Sequence, residues 1–523
     1  MKIQEINVVR KVNYNNKYIK FALCYPNVYR AGISNFAVQL IYRLLNDVPD
    51  IACERYFYDH SGKPVSIENN LSLKSFDVIG FSLQYELDYF NVINILKAAN
   101  IPIYAKNRRR PLLVAGGPCV LENPVPLNEI FDLFVIGDIE PVFEQFISLI
   151  ENYVQSESKN FIKFKSDGFY FPNIIEETIR KTTTHNLDTS YHPLKQVIPI
   201  KYDENRALGL GKTILVECSR GCKAKCYFCL IGWQNNPYRE RSKSRILEII
   251  EGASTVNNVK KVSLIGSGIS FHKNLNDIVW GIVNLGLQVS IPSLRADKFG
   301  KDLAEALKAA KMEQVTFAPE TGSDELRKRI NKNMKNDDIL DAVQNAISAN
   351  INKIKLYFML DLPTENNTDL IAIAELIKEI INVGVNKNNL SISINNFIPK
   401  PHTPFQWYEI SDIKSIRNKI KLLSKIITKE MNIRINFSDP KWDRIQTLLS
   451  RGDEQIGKLI QKTYTYGSNL GSIRRILKEM NTSIDNFNKE ISVDQKLPWD
   501  FIDCGIKKNI IIKIWEKTKR LML

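Results

Sequence analysis

Four of the chain's eight cysteines fall in one stretch, Cys218-Ser219-Arg220-Gly221-Cys222-Lys223-Ala224-Lys225-Cys226-Tyr227-Phe228-Cys229. In a chain whose first residues lack the apolar core of a secretory signal, cysteines this close together read as metal ligands before they read as disulfides. Only Cys222, Cys226 and Cys229 fit the spacing C-x₃-C-x₂-C, because a triplet begun at Cys218 needs a cysteine where Lys225 stands. Three thiolates can hold three irons of a cubane and leave the fourth open, whereas a cluster held wholly by protein takes four cysteines. The open iron is then where chemistry can occur. Zinc is the rival for such a cluster, but it prefers paired C-x₂₋₄-C units or a nearby histidine. The five histidines, at 60, 185, 192, 272 and 402, are all distant in sequence. Cys218, on the strand side of the loop, reads as a small buried apolar residue.

The elements around this loop alternate. Strand Thr213–Glu217 leads into the cysteines, and strands are expected at Lys261–Ile265, Gln288–Ile291, Gln314–Phe317, Lys355–Met359 and Ser391–Asn395. Helical patterns such as Ser244–Ala253 and Lys301–Ala310 lie between them, so residues 206–410 read as a partial (β/α)6 barrel with its chemistry at the strand C-terminal ends. An earlier alternating region, residues 1–150, carries strands Ile19–Tyr25, Val78–Ser82, Leu112–Ala115 and Leu133–Ile136, with a helix from about Ser34 to Asn46. It reads as a Rossmann-like parallel sheet, whose ligands bind beyond the strand ends. Those ends carry turn chemistry: Asn27 to Gly32, Ser82-Leu83-Gln84, Gly116-Gly117-Pro118 and Gly137-Asp138. Residues 151–205 suit an irregular connector. Residues 411–523, with helical stretches Ser411–Met431 and Asp453–Tyr466, suit a mainly helical C-terminal unit. The class is α/β.

At 523 residues the chain is too long for one ordinary core. It has no apolar run near the roughly 18 residues that cross a bilayer, so a cytoplasmic location is expected. Lysine and arginine exceed acidic residues by 72 − 57 = 15. The excess is spread along the chain, which reads as solvated surface lysine, although a basic face could also draw nucleic acid or an acidic redox partner.

The cysteine loop, with its aromatic Phe228 before the last cysteine, resembles the radical S-adenosylmethionine superfamily, in the subgroup with an N-terminal cobalamin-binding domain, and is most similar to a branch of Fe–S oxidoreductase-like proteins. The resemblance covers roughly residues 15–150 and 206–505. It implies a [4Fe–4S] cluster on Cys222, Cys226 and Cys229, with S-adenosylmethionine on the open iron. It further implies that Phe228, Gly266, Ser267, Gly268, Arg295 and Glu320 contact that S-adenosylmethionine, although Gly266-Ser267-Gly268 departs from the family's usual Gly-Gly-Glu. The stretches Tyr357–Glu365 and Pro399–Phe405 also look like barrel segments of the superfamily. An external one-electron donor, such as a ferredoxin or flavodoxin, is implied, and reductive cleavage to a 5′-deoxyadenosyl radical with it.

Asn27-Val28-Tyr29-Arg30-Ala31-Gly32 has the frame of the Asp-x-His-x-x-Gly cobalamin motif, with Asn and Tyr in the first two named positions. The resemblance therefore implies cobalamin held by Asn27, Tyr29, Gly32, Ser82, Gln84, Gly116, Gly117, Pro118, Gly137 and Asp138, with no histidine from this motif on the cobalt. A domain that keeps the fold without the ligand is the alternative. The two domains together imply methylation of an unactivated carbon. Radical cyclisation, rearrangement or coupling in cofactor or lipid biosynthesis is a second reading, and an RNA-binding modification factor is a third. The tail Leu497-Pro498-Trp499-Asp500-Phe501-Ile502-Asp503-Cys504-Gly505 reads as an anchor onto the barrel, with Asp500 or Asp503 as alternative substrate contacts. The substrate itself is set by loops that carry no readable motif.

Overall fold

The computed structural model describes residues 3–11, 18–58, 64–174, 178–202 and 210–521; His60 and the expected junction at 205/206 lie outside them. The first sheet has five parallel strands in the spatial order Ile51–Phe57, Ile19–Tyr25, Val78–Ser82, Leu112–Gly116 and Leu133–Val135, with Phe169–Tyr170 added antiparallel at the edge. The strand order reverses between Ile19–Tyr25 and Val78–Ser82, and doubly wound sheets bind ligands at such a point. Ile51–Phe57 has no counterpart in the expected strands because Glu54 and Arg55 break its apolar run. Both are buried nonetheless. Arg55 donates from Nε to Glu68 at 2.7 Å and stacks 4.7 Å from the Tyr42 ring centre, which satisfies a charge that could not otherwise sit in a core.

The second region begins with parallel strands Ile214–Glu217, Lys261–Ile265 and Gln288–Ser290. Strands Gln314–Glu320, Lys353–Leu360, Leu390–Asn396 and Ile435–Phe437 form a further parallel set, and a parallel bridge from Leu294 to Phe317 joins the two. Six strands lie where the alternation places them. The seventh, three residues long, falls inside the segment expected to be helical, because so short a run carries no period. Helices Lys243–Asn257, Leu275–Asn284, Lys301–Ala309, Asn336–Ser348 and Asn367–Asn382 lie between these strands and bury their apolar stripes against them.

Helices Pro440–Ser450, Glu454–Tyr466 and Leu470–Glu479 pack back onto the first sheet's layer. Ile445, Leu448, Ile456, Leu459 and Ile460 share one core with Val92, Ile95 and Leu96 of helix Asp88–Ala98. Gly457 is small because a Cβ there would lie 2.8 Å from the Pro126 carbonyl oxygen. Ile502–Asp503 pairs parallel with Ile179–Arg180 of the connector. Trp499 is fully buried and donates from Nε1 to Gln406 at 2.8 Å, as an anchor should, while Asp500 accepts from the Leu497 amide and pairs with Lys508. Among the described residues no helix is long and apolar enough to cross a membrane.

Candidate functional site

The cysteine loop leaves strand Ile214–Glu217 at its C-terminal end and turns sharply. Gly221 takes φ +79°, and a Cβ there would sit 2.3 Å from the Asn235 carbonyl oxygen, so only glycine fits. Further along, Asn331 Nδ2 donates to the Lys225 carbonyl at 2.9 Å, the Tyr227 amide donates to Ile330, and Trp233 Nε1 donates to the Cys226 carbonyl at 2.9 Å. Cys222, Cys226 and Cys229 all carry free thiols, with Cys226 buried and the other two half-buried. Burial pushes the Cys226 thiol up to about 12, and Lys332, Cys229, Arg295 and Glu320 all lie close enough to act on its charge. Cys229 likewise feels Cys222 and Lys332. A bare thiolate is disfavoured at Cys226, so cationic iron suits it better than solvent does. Cys218 is buried in the core of the second sheet, where burial raises its thiol.

The expected S-adenosylmethionine contacts converge on this loop. Gly268 lies against it: a Cβ there would come within 2.8 Å of the Gly221 carbonyl oxygen and 3.1 Å of the Cys222 Cα. Gly266 is equally close to Ser219 Oγ, and Ser267 between them is exposed. Loop packing alone thus requires glycine at both positions. Arg295 pairs with Asp297 at 2.8 Å and stacks 5.3 Å from the Phe271 ring centre. Glu320 stands at a break in strand register with φ +68°, a conformation rare outside glycine, and its carboxylate meets Lys332 Nζ at 2.6 Å. Phe228 packs beside Leu326, Ile330 and Phe405. In the supporting segments, Asp361 and Glu365 are taken up by Lys419 at 2.8 Å each, and Lys400 lies between Glu86 and Glu122.

A cavity of about 340 Å³ opens at the C-terminal edge of the first sheet. Ser82, Gln84, Gly116, Gly117, Pro118, Gly137 and Asp138 line it, and it runs inward along the sheet between Leu23, Gly80 and Val114 and the helix residues Phe36 and Leu40. Its far wall is the cysteine loop and its flanks: Glu217 at the strand end before it, Arg220 within it, and Ile231 and Asn235 in the helical turn after it. Asn27, Tyr29 and Gly32 do not line it. Asn27 donates to Asp88 at 2.8 Å, the Tyr29 hydroxyl donates to Glu5 at 2.9 Å, and a Cβ at Gly32 would strike the Phe57 ring. That frame is therefore held by the local core and the N-terminal strand Ile3–Ile6, whose pairing with these side chains no motif announces. Asp138 lines the cavity but is engaged: Arg220 lies at 3.2 Å and Arg239 at 3.1 Å. Burial alone would raise its carboxyl, yet the two guanidinium groups hold it below the usual carboxylate range.

The family model described as radical SAM proteins, N-terminal, matches residues 37–172, and that of the radical SAM superfamily matches residues 216–377. A protein of Methanocaldococcus jannaschii named only as uncharacterized is 33% identical over 491 residues, 94% of this chain and 98% of its own. The chain belongs to the radical SAM superfamily. A putative methylthiotransferase of the same organism is 25% identical over 64% of this chain and 70% of its own. An uncharacterized methyltransferase of Pyrococcus horikoshii is 22% identical over 74% of this chain and 78% of its own. Among solved structures, the radical SAM methyltransferase TsrM from Kitasatospora setae, with cobalamin and a [4Fe–4S] cluster bound, is similar with a TM-score of 0.55 at 13% identity, over 75% of this chain and 77% of its own. The cobalamin-dependent radical enzyme OxsB gives 0.52 at 13% identity, over 97% of this chain and 79% of its own. At such identities the likeness is one of fold.

As a radical SAM enzyme the chain uses a [4Fe–4S] cluster and S-adenosylmethionine, and the three converging thiols fit the cluster. Two charged residues of the radical SAM site carry no sequence signal. Lys332 is the buried partner of Glu320; burial opposes its charge, but the Glu320 carboxylate holds it protonated. Arg220, two residues before Cys222, ties the loop to the first sheet through Asp138, Glu140 and Glu217.

Proposed function

We propose that the chain is a cobalamin-dependent radical SAM methyltransferase acting on an unactivated carbon, with residues 1–150 carrying the corrinoid and an open barrel over residues 206–410 carrying the cluster. The observation that supports this reading is the shared wall of the edge cavity, where Glu217 and Arg220 of the cluster loop face Gly116, Gly117 and Asp138 of the first sheet. When bound, the cluster with S-adenosylmethionine supplies a hydrogen-abstracting 5′-deoxyadenosyl radical, and the corrinoid supplies the methyl group. The donor set fits a corrinoid in part: Gly116, Gly117 and Gly137 would let backbone approach it, and the cavity of about 340 Å³ would take part of so large a group. Among the residues lining the cavity there is no histidine, so no imidazole from this wall meets the cobalt.

The protein's own residues would position and shield. Arg220 and Asp138 fix the distance between the two units, Glu320, Lys332 and Arg295 set the charge around Cys226, and Gly266 and Gly268 keep the loop tight. The Pyrococcus horikoshii relative named as a methyltransferase matches 74% of this chain, whereas relatives named as probable GTP 3',8-cyclases from Saccharolobus solfataricus and Methanocaldococcus jannaschii match 41% and 42% of it, and a cyclase would leave the edge cavity without a role.

Anaerobic purification with added hydroxocobalamin tests the reading. Four irons, four sulfides and one corrinoid per chain are expected, with label from methyl-labelled S-adenosylmethionine recovered in a carbon-methylated acceptor. A Cβ at Gly116 meets nothing nearer than 3.7 Å, so Gly116→Leu should fill the cavity, abolish corrinoid binding and leave the iron content intact. A loaded cluster with no corrinoid retained would overturn the methyl-transfer reading.

A further inference from the structure

The helix Lys508–Arg520 packs, through Trp515, in one apolar cluster with Tyr227 and Phe228 of the cysteine loop and is strongly basic on its outer side. It carries Lys508, Lys513, Lys517, Lys519 and Arg520 against one acid, Glu516, with Lys507 immediately before it. Lys508 and Lys519 are engaged by Asp500 and Glu490. Lys507, Lys513, Lys517 and Arg520 are exposed, and among the described residues no carboxylate pairs with them. Cations in a helix's last turn favour its dipole, which accounts for Lys517 and Arg520 but not for Lys507 or Lys513.

The inner side of the same helix starts an unbroken series of rings. Ile511 and Trp515 pack with Trp233, Trp407 and Trp499. Trp515 lies 6.2 Å from Tyr408, Tyr408 lies 5.1 Å from Phe405, and Phe405 lies 5.9 Å from Tyr227, which is bonded in the chain to Cys226. A second arm runs from Trp515 to Trp407 at 6.2 Å, within the cluster of rings that includes Trp233, whose Nε1 donates to the Cys226 carbonyl. The Trp407 and Trp515 indole nitrogens and the Tyr408 hydroxyl are buried with no hydrogen-bond partner. Hydrogen bonding is therefore not the reason for these residue types, and each leaves a polar atom that a core would ordinarily satisfy.

From surface cations without partners on one side and rings leading to Cys226 on the other, we infer that this helix is the docking face for an acidic one-electron carrier protein of the flavin or iron–sulfur type. The carrier loses one electron and the [4Fe–4S] cluster gains it, passing from the 2+ to the 1+ state, with no proton or group transferred. The rings pack the path between them and are neither oxidised nor reduced. The inference rests on the cluster's place at Cys222, Cys226 and Cys229. Opposite charge accelerates encounter in a salt-dependent way. A nucleic acid backbone would be drawn to the same cations, but it has no use for rings that lead inward.

The test uses the full chain, reconstituted anaerobically. It is titrated with oxidised flavodoxin and, separately, mixed with flavodoxin hydroquinone while cluster absorbance is followed. Combined charge reversal, K513E, K517E and R520E, all at exposed positions, should lower flavodoxin affinity and the rate of cluster bleaching roughly tenfold or more. Bleaching by titanium(III) citrate should not change. Trp515→Leu should slow bleaching by flavodoxin while leaving its affinity unaltered, and Trp515→Phe should restore the rate. An unchanged affinity in the charge-reversed variant overturns the inference. So does transfer RNA that binds more tightly than flavodoxin and is lost in the same variant. Were no iron retained at all, the cluster reading would fail, while the titration with oxidised flavodoxin would still decide the docking face.

Discussion

Cys226 is buried between Trp233 and the Glu320–Lys332 pair, and its replacement tests the site at the level of single atoms. Alanine at Cys222, Cys226 or Cys229 should abolish the iron content and the absorbance of the cluster, while Cys218→Ala should retain both, measured by iron and sulfide analysis. Lys332→Met leaves Glu320 buried beside thiols without its cation, and breaking such a pair costs about 3–5 kcal/mol. Denaturant unfolding of the apoprotein should show that loss, and Lys332→Arg should recover most of it. Residues joined by local spacing, such as the three cysteines, were legible because their chemistry and their separation lie on one short segment. Lys332 was not, because its partner is set by the strand end and the turn that follow Glu320 rather than by any spacing. The Asn27, Tyr29 and Gly32 frame lies away from the edge cavity for the converse reason: its spacing is local, but Glu5, Asp88 and Phe57 decide where the side chains go.

At the scale of elements, the junction between the first sheet and the cysteine loop is an ionic one. Asp138 has its folded-state carboxyl held below the ordinary value by Arg220 and Arg239, against the effect of burial. A depressed carboxyl contributes stability above its unfolded value of about 3.9, and that contribution is lost as pH falls through the folded value. Acid titration followed by tryptophan fluorescence should therefore show stability falling below about pH 4, with a flatter profile in Arg239→Met. Strands such as Ile19–Tyr25, Val78–Ser82 and Lys261–Ile265 were legible to the residue because their apolar runs end at turn signals. Ile51–Phe57 and Ile435–Phe437 were not, one because ion pairs in its core mimic a surface segment, the other because three residues carry no period.

At the scale of the molecule, the C-terminal helices complete the core of the first unit. Leu459 is fully buried there, and Leu459→Ala should cost about 2–5 kcal/mol, read as a lowered thermal midpoint that also impairs corrinoid retention. The helical period of Glu454–Tyr466 was visible in the sequence, but a period names a face and not the surface it meets, so this return of the chain had no signature.

That return sets a timetable for synthesis. The first sheet's partners at Ile445 to Leu477 are translated roughly 300 residues after the last of its parallel strands, Leu133–Val135, an interval of about 15 to 60 s at ordinary elongation speeds. Until then the nascent sheet lacks the apolar cover of those helices, although Glu217 and Arg220 of the cavity wall are already made. Expressing the first 150 residues alone, without the cover of Ile445 to Leu477, should therefore yield an aggregating fragment, read as protein lost to the pellet.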